Sequence, residues 1–160
     1  MKVKKIISGG QTGADQGGLS AGVILGLETG GTMPKGFRTE DGDKLQFAAI
    51  FDMTEHSSRS YVPRTELNVK DSDGTIIIGD NNSVGSKLTI DCCKIHKKPY
   101  YRLAWSHKEA AVFNADCLLF RKWLIDNKIT TLNVAGNRET KNPGVGIFTK
   151  DFLVECLEHE

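Results

Sequence analysis

The sequence predicts an α/β fold, a mainly parallel sheet of about five strands with helices on both faces. Three observations lead there. Apolar, β-branched runs alternate with segments of helical period along the chain. The run Thr75-Ile76-Ile77-Ile78 is continuously apolar between two turns, the pattern of a strand buried on both faces of a parallel sheet. Three strand candidates break directly into polar, glycine-containing loops, as the carboxyl ends of parallel strands do where a ligand pocket forms.

Taken in order, Val3 to Ser8 reads as the first strand and about Asp15 to Leu27 as a helix, followed by a glycine break at Gly30-Gly31. Gly18, Gly22 and Gly26 recur every four residues there, and each costs about 1 kcal/mol in a helix interior, so close packing is expected to offset them. Residues 32–61 read as a long, mostly irregular excursion that serves as a wall or lid. Pro63 suits the first turn of a short helix ending near Lys70, and Asp71-Ser72-Asp73-Gly74 stops it. The central strand Thr75 to Ile78 leads into the loop from Gly79 to Gly85, where Ser86 is placed to cap a helix carrying Leu88, Cys92 and Ile95 on one face. Pro99 to Leu103 is a further strand. A helix near Ala110 to Asn127 keeps Phe113, Cys117, Phe120 and Leu124 in phase, Thr130 to Ala135 is the last strand, and the final helix carries Phe148, Phe152 and Cys156.

The 160 residues, 39% hydrophobic and 26% charged, suffice for one core, so residues 1–160 are expected to form one domain. A formal net charge of +1 without a Lys/Arg cluster argues against a nucleic-acid polymer as partner. No apolar run approaches the roughly 20 residues that span a bilayer, and Met1 to Ile6 leads into a strand rather than a signal-peptide core. A cytoplasmic protein without membrane contact is the expectation. Cys92 and Cys93 are adjacent while Cys117 and Cys156 stand apart, without CxxC or Cys/His ligand spacing, so the cysteines read as small buried hydrophobes.

The candidate site begins at Ser8-Gly9-Gly10-Gln11-Thr12-Gly13-Ala14-Asp15, where a strand turns into a helix start. Unpaired amides at such a start, with glycines that permit close approach, can hold a phosphate, so Gly9, Gly10, Gln11, Thr12 and Gly13 are predicted to bind one. The spacing matches neither GxGxxG nor GxxxxGK[ST], which removes the common dinucleotide and NTPase fingerprints. Asp15 reads either as a capping-box partner of Thr12 or as a contact to a ligand hydroxyl or amine. Arg64 and Thr65 offer a guanidinium fork and a hydroxyl to an anion, with Asn68 one turn onward; the alternative for Arg64 is a surface pair with Glu66 or Asp71. Gly136, Asn137, Arg138 and Glu139 follow the last strand, and Gly85 and Ser86 belong to the loop after the central one; Gly85, Ser86, Gly136 and Arg138 are predicted to contact the phosphate-bearing ligand, and Asn137, with Asp15 and Asn68, to select its remaining polar groups. The alternative for Arg138 and Glu139 is mutual charge pairing in a solvated loop. His56, His96, His107 and His159 are scattered without a nucleophile beside them, so a hydrolase triad is not expected. If the chain is an enzyme, Glu139 or Asp15 is the acid or base, cleaving an N-glycosidic bond.

The ordered motifs Ser8 to Gly17, Gly31-Thr32-Met33-Pro34-Lys35-Gly36, Arg64 to Val69, Ser72-Asp73-Gly74-Thr75 and Asn133 to Glu139 together resemble the putative molybdenum carrier family, circularly permuted YpsA-like proteins of the SLOG superfamily. The resemblance implies a Rossmann-like nucleotide-binding domain related to lysine-decarboxylase-like phosphoribohydrolases. It also implies molybdenum cofactor (molybdopterin) or another nucleotide-like ligand as cargo, with no metal ligand from the protein because the pterin dithiolene already holds the ion. The Pro-Gly-Gly-x-Gly-Thr-x-x-Glu motif of the active phosphoribohydrolases is absent. Three readings stand: a carrier of a small phosphate-bearing ligand, a nucleotide N-glycosidase, and a non-catalytic nucleotide sensor; related folds add a homo-dimer or larger homo-oligomer.

Overall fold

Residues 2–106 and 113–158 are described by a computed structural model. In chain order the elements are β1 (Lys5–Ser8), α1 (Ala14–Ile24), β2 (Glu28–Met33), β3 (Arg38–Thr39), β4 (Gly42–Asp43), α2 (Phe47–Phe51), β5 (Met53–Glu55), α3 (Tyr61–Lys70), β6 (Gly74–Gly79), α4 (Val84–Ile95), β7 (Tyr100–Ala104), α5 (Phe113–Asp126), β8 (Thr131–Gly136) and α6 (Val145–Glu158). Six strands form a parallel sheet in the order β5-β2-β1-β8-β6-β7, and β3 with β4 makes a separate antiparallel hairpin. Every residue of β6 is buried, as its unbroken apolar run requires, and it lies between β8 and β7.

Right-handed crossovers fix the layers. The chain moves one way from β1 to β2 and the other way from β6 to β7, so α1 and α4 fall on opposite faces. Accordingly α1 packs against α6 and α6 against α5 on one face, and α3 against α4 on the other. Ile6, Ile76, Ile78, Leu132 and Val134 from the strands meet Phe120, Leu124, Phe152 and Leu153 from α5 and α6 in the main core. The last strand, β8, inserts between β1 and β6, with Ser8 opposite Val134 and Ile78 opposite Gly136. Three carboxyl ends therefore open side by side.

Several elements differ from the sequence expectation. The glycine break at Gly30-Gly31 lies inside β2, which makes the sheet six-stranded, because pairing with β1 and β5 outweighs the weak strand preference of glycine. The 32–61 excursion is structured: it holds the end of β2, the β3–β4 hairpin, α2 and β5, around a small core of Leu19, Met33, Phe37 and Met53. Gly26 lies beyond the end of α1 in a turn, leaving Gly18 and Gly22 as the interior glycines of the series. A Cβ at Gly18 would lie 2.7 Å from Val134, while at Gly17 it would overlap the Gly146 carbonyl oxygen of α6. Ser83, not Ser86, caps α4, accepting a hydrogen bond from the Ser86 amide at 3.2 Å.

Cys117 and Cys156 are buried as expected, but they are joined in a disulfide between α5 and α6 rather than free. Spacing could not show this, because two cysteines 39 positions apart are brought together only by the return of the chain through β8. Cys92 and Cys93 are free and buried. Residues 110–112 of the expected helix, together with His107 and His159, lie outside the described residues. Among the described residues no helix is long and apolar enough to cross a membrane.

Gly17→Ala is expected to force α1 from α6 and cost about 1–3 kcal/mol, read as a lower urea midpoint. Replacing Cys117 and Cys156 together by alanine should cost about 2–4 kcal/mol, and the variant's melting temperature should no longer respond to dithiothreitol.

Candidate functional site

The loops after β1, β6 and β8 meet at Asn137, which is 5% exposed. Its backbone amide donates to the Ile78 carbonyl at 3.1 Å, and its own carbonyl accepts from Ala14 at 3.0 Å. Its side-chain oxygen accepts from the Asp80 amide at 2.6 Å and from Asn142 Nδ2 at 3.2 Å, while its Nδ2 donates to the Asp80 carbonyl and to Ser83 Oγ. Gly13, at φ 82°, and Gly79, at φ 113°, crowd this hub so closely that a Cβ on either would overlap an Asn137 oxygen. Asn137, expected to select a ligand group, thus ties the three loops together.

The glycine loop is held from within. The Asp15 carboxylate accepts from the amides of Gly9 and Gln11, the latter at 3.2 Å, instead of pairing with Thr12 as a capping box. Gly10 donates to Ser8 Oγ at 3.1 Å and Thr12 to Gln11 Oε1 at 3.0 Å. The amides of Gly10, Gln11 and Thr12, expected to hold phosphate, therefore already have oxygen partners. Arg64 lies 3.8 Å from Asp15 rather than pairing with Glu66 or Asp71, and its guanidinium presses on Gly9 where any Cβ would overlap it. Burial pushes the Asp15 carboxyl above the usual carboxylate range, against the opposing pull of Arg64 and the loop amides.

A crevice of about 100 Å³ opens on the α3–α4 side of these loops. Gln11, Asp15, Arg64, Thr65, Gly85, Gly136 and Arg138 line it, so seven of the predicted residues share one crevice. Tyr61, which the sequence reading missed, stands at its mouth with three guanidinium groups around its ring: Arg38 at 4.7 Å, Arg138 at 5.3 Å and Arg64 at 5.4 Å from the centroid. No local signal marks Tyr61 or Arg38, since only the hairpin and α3 together bring them to Arg138. Thr65 Oγ1 donates to the Tyr61 carbonyl at 2.8 Å and accepts from Arg64 at 3.1 Å, orienting that arginine. Gln11 Nε2 and Arg64 Nε are buried donors without an acceptor.

Other predicted residues serve the scaffold. Asn68 clamps α3 to β2, accepting from the Thr32 amide at 2.8 Å and donating to the Thr32 carbonyl at 2.9 Å. Ser86 is buried inside α4, its hydroxyl without a partner. Glu139 does not pair with Arg138; it accepts from the amides of Gly144 at 2.6 Å and Gly146 at 3.1 Å at the start of α6. Arg138 instead lies 3.9 Å from Glu40. His96 pairs with Glu66 at 2.9 Å, and His56 Nδ1 accepts from Ser58.

Glu40, on the turn between β3 and β4, is the second residue missed. Its carboxylate accepts from the Thr12 and Thr140 hydroxyls and from the Glu40-facing Thr140 amide, and Thr12 in turn accepts from the Glu139 amide at 3.2 Å. The hairpin is thereby fastened to the loops after β1 and β8. Beyond it lies a larger cleft of about 560 Å³ between α1 and α6, bordered by Glu40, Asp41, Glu139 and Lys150. Its three carboxylates to one lysine make it a poorer anion receptor than the arginine-lined crevice.

Burial raises the Glu40 pKa, but its hydrogen bonds from Thr12 and Thr140 and the charge of Arg138 outweigh that, and the net shift is downward. A depressed folded-state value contributes stability above the unfolded pKa that disappears as pH falls through the folded one. Glu40→Gln should therefore cost about 1–2 kcal/mol at neutral pH, with the gap to wild type closing below pH ~4 in denaturant titrations.

The Circularly permutated YpsA SLOG family matches residues 6–157. The crystal structure of a "putative molybdenum carrier protein" from Syntrophus aciditrophicus SB is similar, with 35% identity and a TM-score of 0.83 over 97% of this chain and 94% of that one. No match was found among curated proteins. With the family spanning the β1 loop, the hub and the last helix, and a relative of 35% identity sharing the fold, the chain belongs to the circularly permuted YpsA SLOG family.

Proposed function

We propose that the chain binds a phosphate-bearing, nucleotide-like ligand in the crevice between the β1, β6 and β8 loops, and that it acts as a carrier of molybdenum cofactor. One observation carries the reading. Gln11 and Arg64, both among the residues lining the crevice, each hold a buried donor without an acceptor, and an anionic oxygen satisfies such a donor at little cost. Arg138, with 38% of its side chain exposed, is accessible to an arriving ligand, and Tyr61 offers a ring face beside it. The position, beyond the carboxyl ends of parallel strands where helices diverge to opposite faces, is where open α/β sheets receive ligands. The carrier assignment draws on the similarity to the Syntrophus protein that bears that name. The donor set suits the phosphate end of the cofactor, whose pterin dithiolene holds the molybdenum.

The carboxylates favour holding over cleaving. Both oxygens of Glu139 accept backbone amides, and Asp15 is committed to the glycine loop and Arg64. Neither presents a free base to a glycosidic bond.

Calorimetry with AMP and inorganic phosphate is expected to show binding that Arg138→Ala weakens about tenfold while the melting temperature holds. Isolated molybdenum cofactor should decay more slowly with the wild-type chain present; equal decay with and without it refutes the carrier role, and unchanged phosphate affinity in the arginine variant refutes the crevice.

A further inference from the structure

The glycine loop turns its amides inward, as loops that cradle an anion do, yet an anion from the protein itself fills it. The Asp15 carboxylate, on a residue 5% exposed, takes the amides of Gly9 and Gln11 and lies 3.8 Å from Arg64. Ser8 Oγ and Gln11 Oε1 accept the adjoining amides of Gly10 and Thr12. An incoming phosphate is left the other wall: Arg138, the unpartnered Gln11 Nε2 on a residue 6% exposed, and Gly85 at the start of the twelve-residue α4. Space is open at Gly85, where a Cβ would meet nothing within 4 Å.

We propose that Asp15 is an internal substitute for a second phosphate, and that it makes the crevice selective for ligands with a single phosphate group over diphosphates. The inference rests on the phosphate-binding reading above. One feature supports it. A second phosphate of the same ligand can reach the glycine loop only by lying against the Asp15 carboxylate, and like charges in a partly desolvated site repel strongly. Asp15 also retains part of the Arg64 charge, leaving Arg138 as the crevice cation for the ligand. Asp15 is thus a specificity-determining residue whose removal improves the binding of one class of anion, the reverse of what loss of a simple ligand contact does.

The test is calorimetric titration of the full chain with inorganic phosphate and with pyrophosphate, for wild type, Asp15→Asn and Asp15→Ser. Wild type is expected to prefer phosphate by about tenfold, and both variants to gain about tenfold for pyrophosphate, more than any gain for phosphate. Cooperative melting of each variant checks the fold. If one variant fails to fold, the other decides; if both fail, the wild-type preference decides. Wild type that binds phosphate and pyrophosphate equally, or folded variants without a pyrophosphate gain, overturn the selectivity while leaving the phosphate site standing. A folded wild type that binds neither anion overturns both.

Discussion

The hydrogen-bonded hub at Asn137 is the constraint from which the site follows. One side chain and its own peptide groups contact the end of β6 and the cap of α4 in one strand–loop–helix unit and the start of α1 in a second, while Asn137 itself belongs to the third, after β8. Asn137 itself is buried, so its polar groups would be left unsatisfied if the loops moved apart. The close approach explains why Gly13 and Gly79 carry no side chain, and it sets how near Arg138 stands to the glycine loop. A crevice this narrow exists because the three loops are fastened rather than merely adjacent.

Charge is distributed around that hub in pairs. Arg64 faces Asp15 and Arg138 faces Glu40, one pair on each side of Thr12. Both arginines also approach Tyr61, as does Arg38. The carboxylates hold the guanidinium groups in place without a ligand, and the excess of arginine leaves the crevice attractive to an anion. The β3–β4 hairpin, through Glu40 and Asp41, lines the larger and more acidic cleft between α1 and α6, and the two hollows differ in sign of charge.

Much of this was legible in the sequence. The β6 run, the helical stripes of α5 and α6, and the three strand-end loops each carry a local signal, so their type and their convergence follow from periodicity and parallel topology. Arg64, Arg138, Gln11 and Gly85 were placed near one ligand and do share a crevice. What escaped was the use to which shared residues are put. Asn68, Asn137 and Glu139 sit in the expected loops or helices, yet their polar atoms are spent on Thr32, on the three-loop hub and on the start of α6. Residue type shows that a group can hydrogen-bond; it does not show which backbone will arrive beside it.

By itself the sequence determined the α/β class, the alternation of strands and helices, and the edge of the sheet that bears the polar loops, because these depend on local period and on chain handedness. Only tertiary structure decided that β2 is a strand despite its two glycines, that Cys117 meets Cys156, and that Glu40 and Tyr61 border the site. Each of these depends on segments far apart in the chain being brought into contact. The glycine loop belongs to both: its sequence marks an anion cradle, and the fold supplies Asp15 as the anion that fills it.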